Sequence, residues 1–238
     1  MENLPFYIYL VFVLATGFTI FTFYKASHSS KKIIAIIFLW LIVQSILSLK
    51  GFYTVTNAFP PRLIFLLAPP LIAIAILFLS KKGRFFLDNL NPAYLTILHT
   101  VRIFVELVLY WLFLYKAVPK IMTFEGRNLD IIAGLTAPVI YYFAFIRKNI
   151  STKILLAWHF VCVALLFNIV SIAILSAPLS FQRFGFEQPN IAILYFPFVW
   201  LPGFIVPVVL LSHLAVIKQL LQVDKKSITN NSPAQTNS

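Results

Sequence analysis

The chain has 238 residues, of which 61% are hydrophobic and 11% are charged, and its mean hydropathy is +0.91. Soluble domains carry about 25% charged residues, so this composition excludes an ordinary soluble domain. The net charge of +12 does not indicate nucleic-acid binding, because the basic residues lie in short clusters between apolar runs and form no continuous stripe. The sequence therefore predicts an integral membrane protein.

Seven apolar runs follow one another along the chain, each close to the roughly 20 residues that a helix needs to cross a bilayer. Helix-start residues precede several of them, including Asn91-Pro92 and the pair Asn128 and Asp130. We therefore predict an all-α membrane domain, residues 1–223, with seven transmembrane helices. Their predicted ranges are about 5–24, 33–49, 63–80, 94–118, 128–146, 151–176 and 190–218.

The basic residues of alternate loops indicate how these helices are oriented. One set of loops holds twelve Lys and Arg residues, and the other set holds six. Because basic loops face the cytoplasm, we predict an N-terminus outside and a C-terminus in the cytoplasm, in a plasma membrane such as the bacterial inner membrane. Residues 224–238 are polar and without apolar periodicity, which predicts a disordered cytoplasmic tail.

The fourth run contains His99, Arg102, Glu106 and Tyr110, which share one helical face at about 100° per residue. Arg102 and Glu106 are four residues apart and are expected to pair along the helix. A charge facing lipid costs roughly 2.5–3.5 kcal/mol at mid-membrane, so this face is predicted to point into the bundle. Two interpretations stay open: a lining for a small ligand, lipid or proton, and an ion pair that only fixes helix packing.

Three histidines, His99, His159 and His213, are predicted to lie at one depth, about two helical turns from the cytoplasmic surface. Neutral imidazoles that converge from three helices suit a metal site, for Zn or for a haem iron. Cys162, one turn after His159, is a candidate for an additional thiol ligand. The alternatives are a proton relay and polar residues that are satisfied within helix contacts.

The seventh run is interrupted by Pro197, Pro202 and Pro207. Each proline removes a backbone donor and clashes with the preceding turn, so this helix is predicted to be kinked or partly unwound.

Two outward loops, residues 122–130 and 180–190, mix charged residues with aromatic ones. This composition suits contacts with a ligand, with lipid head groups or with a partner, and it equally suits ordinary loops at the membrane surface. The candidate contact residues are Glu125, Arg127, Asp130, Arg183 and Glu187.

The sequence contains no Walker loop and no Rossmann fingerprint. Our first hypothesis is a non-enzymatic membrane protein that binds or moves a small ligand, lipid or proton through a polar interior. The second is a metal-dependent or haem-binding membrane enzyme that uses the three histidines. The third is a structural subunit of a membrane complex. The expected partners are the lipid bilayer and a small molecule, without nucleic acid.

Overall fold

The computed structural model describes residues 4–230 and the side chains of residues 4–222. Within this part of the chain the regular elements are helices, and no strand occurs. The predicted tail, 224–238, extends beyond the described side chains, and residues 231–238 lie outside the described residues altogether. The α-helices are α1 (Phe6–Ala26), α2 (Lys31–Leu49), α3 (Ile64–Leu79), α4 (Lys81–Asn89), α5 (Pro92–Leu98), α6 (Val101–Leu114), α7 (Asp130–Tyr141), α8 (Thr152–Leu175) and α9 (Val206–Asn230).

Five helical stretches are long and apolar enough to cross a membrane, which confirms an all-α membrane protein in outline. They are Phe6–Ala26, Lys31–Leu49, Pro92–Leu114, Thr152–Leu175 and Leu201–Gln222. The pair α3 and α4 makes a sixth if the two helices count as one span, although they are bent by 94°. The predicted fifth helix is a shorter apolar element, Asp130–Ile146, whose last turn is π-helical from Tyr142 to Ile146.

The bend between α3 and α4 depends on a glycine. Ser80 is the N-cap residue of α4, and its hydroxyl accepts a hydrogen bond from the backbone N–H of Gly83 at 3.0 Å. A Cβ atom at Gly83 would lie 2.4 Å from the carbonyl oxygen of Leu77, which is closer than real Cβ contacts. The sharp turn after α3 is therefore possible because residue 83 carries no side chain.

The connecting segments gather at two ends of the bundle. At one end, the N–H of Asn91, before α5, donates to the carbonyl of Ala26 at the end of α1. At the other end, the N–H groups of Ile191 and Ala192 both donate to the carbonyl of Ala117, after α6. Between these ends, α5, α6 and α9 form the centre of the main apolar core, with α1 packed against α5 and α6.

The last span begins later than predicted. We expected a helix from residue 190, but residues 190–200 contain only a short 3₁₀ turn, Ala192–Leu194, and the continuous helix starts with a π-helical turn, Leu201–Ile205. Prolines explain this later start, because Pro197 and Pro202 cannot donate the backbone hydrogen bonds that a regular helix from residue 190 would need. The predicted unwinding of this segment is thus present.

Two tryptophans link α2 to this irregular segment. Pro207 has no N–H for the carbonyl of Gly203, one turn earlier, and the indole N–H of Trp40 donates to that carbonyl instead, at 2.8 Å. In return, the indole of Trp200 donates to the carbonyl of Leu41 at 3.2 Å and to the hydroxyl of Ser45 at 3.1 Å. The carbonyl that Pro207 leaves without its usual donor is therefore satisfied by a neighbouring helix.

Candidate functional site

The central span is interrupted at His99. Helix α5 ends at Leu98 and α6 begins at Val101, so that His99 and Thr100 form a turn between them. The carbonyl of His99 accepts from the N–H of Arg102 at 3.1 Å, which is the tighter spacing of a 3₁₀ turn. This break lies where α5 packs against α9, and it directs the imidazole of His99 into the core.

The three histidines that were predicted to share one depth meet in a single cluster, here called the histidine cluster: His99, His159 on α8 and His213 on α9. One ring nitrogen from each lies within 4.8 Å of the other two. The Nδ1 atoms of His159 and His213 are 2.8 Å apart, so one donates a hydrogen bond to the other. The ring of His99 stacks on that of His213, with centroids 3.6 Å apart and planes inclined by 9°.

Four ring nitrogens of this cluster have no hydrogen-bond partner among the described residues, although all three side chains are 0% exposed. They are both nitrogens of His99 and the Nε2 atoms of His159 and His213. Trp158 borders the cluster, but its indole donates to the hydroxyl of Thr136 at 2.9 Å. A buried polar atom without a partner costs about 1–3 kcal/mol, so the cluster reduces stability unless something else binds it.

The residues of the histidine cluster fit a single metal ion better than a haem. Each ring offers a neutral nitrogen, the ligand that Zn²⁺ and similar ions take from histidine. A porphyrin needs an open face against an axial imidazole, whereas His99 is packed face to face on His213 and edge-on to Trp158. The thiol of Cys162 does not belong to this group of ligand atoms, so within residues 4–222 three histidines make the ligand set.

A second buried polar group lies next along α6; we call it the charged cluster: Arg102, Glu106, Asn128 and Asp130. Arg102 Nε is 3.1 Å from a carboxylate oxygen of Asp130, and both side chains are buried. Arg102 also donates to the carbonyl of Cys162 at 3.3 Å. The ion pair and the burial of Asp130 differ from two predictions made from the sequence. The ion pair of Arg102 is with Asp130 and not with Glu106, and Asp130 is an interior residue and not an outer-loop contact.

Glu106 has a different partner. The side-chain amide of Asn128 donates to Glu106 Oε1 at 2.5 Å and to the carbonyl of Met122 at 2.9 Å, and Asn128 Oδ1 accepts from the N–H of Asp130 at 3.0 Å. Sequence reasoning assigned Asn128 only to the start of a helix and missed its role in the interior. Its spacing of two residues from Asp130 is a helix-start pattern, and a local pattern carries no information about a distant glutamate.

Gly134 permits the contact between α6 and α7. A Cβ atom there would lie 2.8 Å from the backbone nitrogen of Ile103 and 3.2 Å from Cβ of Arg102. The two helices therefore approach most closely one turn after Asp130, where a small residue is required. This approach brings the carboxylate of Asp130 to the guanidinium of Arg102.

Tyr110, the fourth residue of the predicted polar face, stacks on Phe124 with ring centroids 4.9 Å apart. Its contacts thus lie with the segment that follows α6, whereas His99, Arg102 and Glu106 reach the two buried clusters.

The remaining predicted loop contacts lie at the same end of the bundle as Tyr110. Glu125 is 3.6 Å from the ammonium of Lys120, in an exposed ion pair. The carbonyl of Arg127 accepts from the side chain of Asn168 at 2.9 Å. Arg183 and Glu187 line an open cavity of about 590 Å³ beside residues 119–121.

An apolar cavity of about 80 Å³ adjoins the charged cluster. Among the described residues that line it, Glu106 and Asp130 are the charged ones, and apolar side chains, mostly of α3, α6, α8 and the π-helical turn, form the rest of the wall. Glu106 Oε2 and Asp130 Oδ1 have no hydrogen-bond partner in the described part of the chain. The cavity is large enough for a small polar group that would satisfy them.

The model of one protein family matches residues 60–221, more than half of the chain. The chain belongs to the family described as Domain of unknown function (DUF8737). No curated protein and no solved structure matches the chain. Both clusters, from His99 to His213, lie within the DUF8737 region, whereas α1 and α2 precede it.

Proposed function

We propose that this protein binds one transition-metal ion, Zn²⁺ as the first candidate, between His99, His159 and His213 inside the membrane. The observation that carries the proposal is the meeting of three fully buried imidazoles from separate helices, with ring nitrogens within 4.8 Å of one another. Four of their nitrogens lack a hydrogen-bond partner among the described residues, and a metal ligand needs such a free nitrogen. The proposal makes the protein a metal-dependent membrane protein.

The number of protein ligands indicates which kind of metal site the histidine cluster would form. Three protein ligands and one open position are typical of catalytic zinc sites, whereas structural sites use four protein ligands. Tetrahedral bonds of about 2.0–2.1 Å place ligand nitrogens roughly 3.4 Å apart, a spacing that lies within the 4.8 Å that encloses the ring nitrogens of the histidine cluster. When bound, such an ion acts as a Lewis acid toward an oxygen atom at the open position.

Metal analysis of the full-length protein in detergent tests this proposal. We expect about one Zn²⁺ per chain after purification, and a loss of about tenfold or more in bound Zn²⁺ for His159→Ala. His28 is the matched control, because it is the fourth histidine, it is exposed, and its ring contacts the carbonyl of Asn89. Equal metal content in His28→Ala and His159→Ala, or none in the wild type, would contradict the proposal.

A second function, binding or transport of a small ligand, lipid or proton through the polar interior, is favoured by one specific observation. Glu106 is buried, lines the apolar cavity and has one carboxylate oxygen without a described partner. Ionisable groups inside a membrane are costly and commonly serve binding or transport. We expect Glu106→Gln to reduce ligand binding more than it reduces stability, because glutamine can still accept the hydrogen bond of Asn128.

We also propose that the chain crosses the plasma membrane seven times, with its N-terminus outside the cell and its C-terminus in the cytoplasm. The count of twelve against six basic loop residues and the gathering of the loops at two ends support it. Single cysteines at Ser29 and Ser180, both exposed, test it in a Cys162→Ala background. An impermeant maleimide added from outside should label Ser180→Cys and spare Ser29→Cys, and the reverse pattern would refute the orientation.

A further inference from the structure

A groove at the surface of the bundle adjoins the cavity at the charged cluster. It has a volume of about 310 Å³ and lies between α3 and the end of α8 with the segment that follows it, and α3 and α8 do not pack closely against each other. Leu63, Leu67 and Ile174 line both this groove and the cavity at Glu106. These three side chains form a shared wall, so a shift of their rotamers would join the two spaces into one apolar path that ends at two carboxylates.

The charges at that end do not balance. Arg102 is paired with Asp130, which leaves Glu106 as a second carboxylate with the amide of Asn128 as its donor. With both carboxylates ionised, the charged cluster carries one negative charge in excess. Two acceptor oxygens, Glu106 Oε2 and Asp130 Oδ1, also lack a donor among the described residues, and Arg102 Nη1 lacks an acceptor. A buried excess charge is costly, and it is stabilised by a counter-charge or removed by protonation of the carboxyl group.

One kind of ligand meets both requirements. A primary ammonium group supplies one positive charge and three N–H donors, enough for two carboxylate oxygens. An alkyl chain attached to it would bury apolar surface against the side chains of α3 and α8. A neutral alcohol supplies only one donor and no charge, and a quaternary ammonium supplies charge without N–H donors.

We infer that the charged cluster is the head-group site for a hydrophobic primary amine, which enters from the lipid through the groove between α3 and α8. This inference rests on the ligand-binding function proposed above and names the class of ligand and its route. Glu106 and Asp130 bind the ammonium group, while Leu63, Leu67 and Ile174 contact the chain.

Binding of three probes of equal chain length to the full-length protein in zwitterionic nanodiscs tests the inference. The probes are dodecylamine, dodecanol and dodecyltrimethylammonium. Nonspecific uptake into lipid is subtracted with Ala173→Phe, which puts a large side chain into the cavity wall. We expect dodecylamine to bind about tenfold more tightly than either other probe, and Glu106→Gln to remove this preference.

Two matched controls identify the site. Ala164 lies on the same helix as Ala173 but is exposed, so Ala164→Phe should bind dodecylamine as the wild type does. His159→Ala should also keep amine binding, because its side chain does not line the cavity. Loss of amine binding in either control would overturn the inference, because the binding site would then lie elsewhere.

The probes separate failure of the inference from failure of the proposed ligand function. Saturable binding of dodecanol that equals that of dodecylamine and is abolished by Ala173→Phe would overturn the amine class and the role of charge, while the ligand function would stand. Tighter binding of a neutral quinone such as decylubiquinone would have the same meaning, with Glu106 as a donor. If no probe shows binding that is sensitive to Ala173→Phe, both proposals fail. These comparisons on the wild-type protein do not depend on whether Glu106→Gln folds.

Discussion

The histidine cluster and the charged cluster are neighbours, and both are buried, but they differ in charge and in the number of bonds that they make. Arg102, Glu106, Asn128 and Asp130 make an ion pair and several hydrogen bonds to one another and to backbone carbonyls, although Arg102 Nη1, Glu106 Oε2 and Asp130 Oδ1 have no described hydrogen-bond partner. The histidines have one hydrogen bond among them and four nitrogens without a described partner. Buried charges must be paired for the fold to be stable, whereas neutral imidazoles can stay unpaired at a smaller cost. The Arg102–Asp130 pair is therefore expected to contribute more to stability than the histidine cluster, for which we propose metal binding.

The largest expected effect breaks the ion pair of the charged cluster. Asp130→Ala leaves Arg102 buried without its counter-charge, and we expect the free energy of unfolding to fall by about 3–5 kcal/mol. The measurement is denaturant titration in mixed micelles. The exposed pair of Glu125 and Lys120 is the control, and Glu125→Ala should cost less than about 1 kcal/mol. Equal losses in the two variants would show that Asp130 does not stabilise the interior.

The second effect concerns Asn128. Its amide bonds to Glu106 and to the carbonyl of Met122, so Asn128→Ala removes a hydrogen bond to a carboxyl group and another to the backbone. We expect a loss of about 1.5–3 kcal/mol in the free energy of unfolding. Asn168 also donates to a carbonyl but is exposed, so Asn168→Ala should have a smaller effect in the same titration. A loss for Asn168→Ala as large as that for Asn128→Ala would contradict the role of Asn128.

The third effect separates α6 from α7. A methyl group at Gly134 would press on Ile103 and Arg102, and Gly134→Ala should lower the free energy of unfolding by about 1–3 kcal/mol. Gly17 provides the matched control, because a Cβ atom there would meet nothing within 4 Å. Gly17→Ala should leave stability unchanged or slightly higher, since alanine favours helix by about 1 kcal/mol over glycine. Destabilisation by Gly17→Ala alone would refute this account of the helix contact.

The smallest expected change in stability belongs to the histidine cluster. His99→Phe keeps a ring to stack on His213 and removes two nitrogens that have no described partner. We expect the free energy of unfolding of the metal-free protein to be unchanged or higher, because the gain from removing two unpartnered polar atoms opposes the cost of fitting a larger ring, while bound Zn²⁺ is lost. A large loss of stability in the metal-free protein would show that His99 serves the fold, and would remove the contrast between the two clusters.

Much of the helical architecture could be predicted from the sequence, because the length and composition of apolar runs are local properties. The runs beginning near residues 5, 33, 94 and 151 correspond to long apolar helices. A shared depth of the three histidines was predicted from local information, since depth depends on the distance along a helix from the basic loops. Their meeting also requires α9 to pack against both α5 and α8, and that arrangement was not predicted.

The partners within the charged cluster could not be predicted. Arg102 was expected to pair with Glu106, four residues away, but the acid that it contacts is 28 positions further along the chain, at Asp130. That residue lies inside because the segment after α6 folds back toward the core, where Met122 and Asn128 are buried. A fold-back of this kind depends on tertiary hydrogen bonds, and the charge pattern of the segment also suits a surface loop.

The reciprocal bonds of Trp40 and Trp200 bear on how this bundle can rearrange. Each indole donates to the backbone of the other segment, and hydrocarbon offers no replacement for either bond. Helix α2 and the proline-rich start of the last span are therefore joined by reciprocal hydrogen bonds, and we expect them to move as one rigid body. Between α3 and α8, no such hydrogen bond occurs among the described residues. If helices separate to admit a molecule from the bilayer, we expect them to separate between α3 and α8.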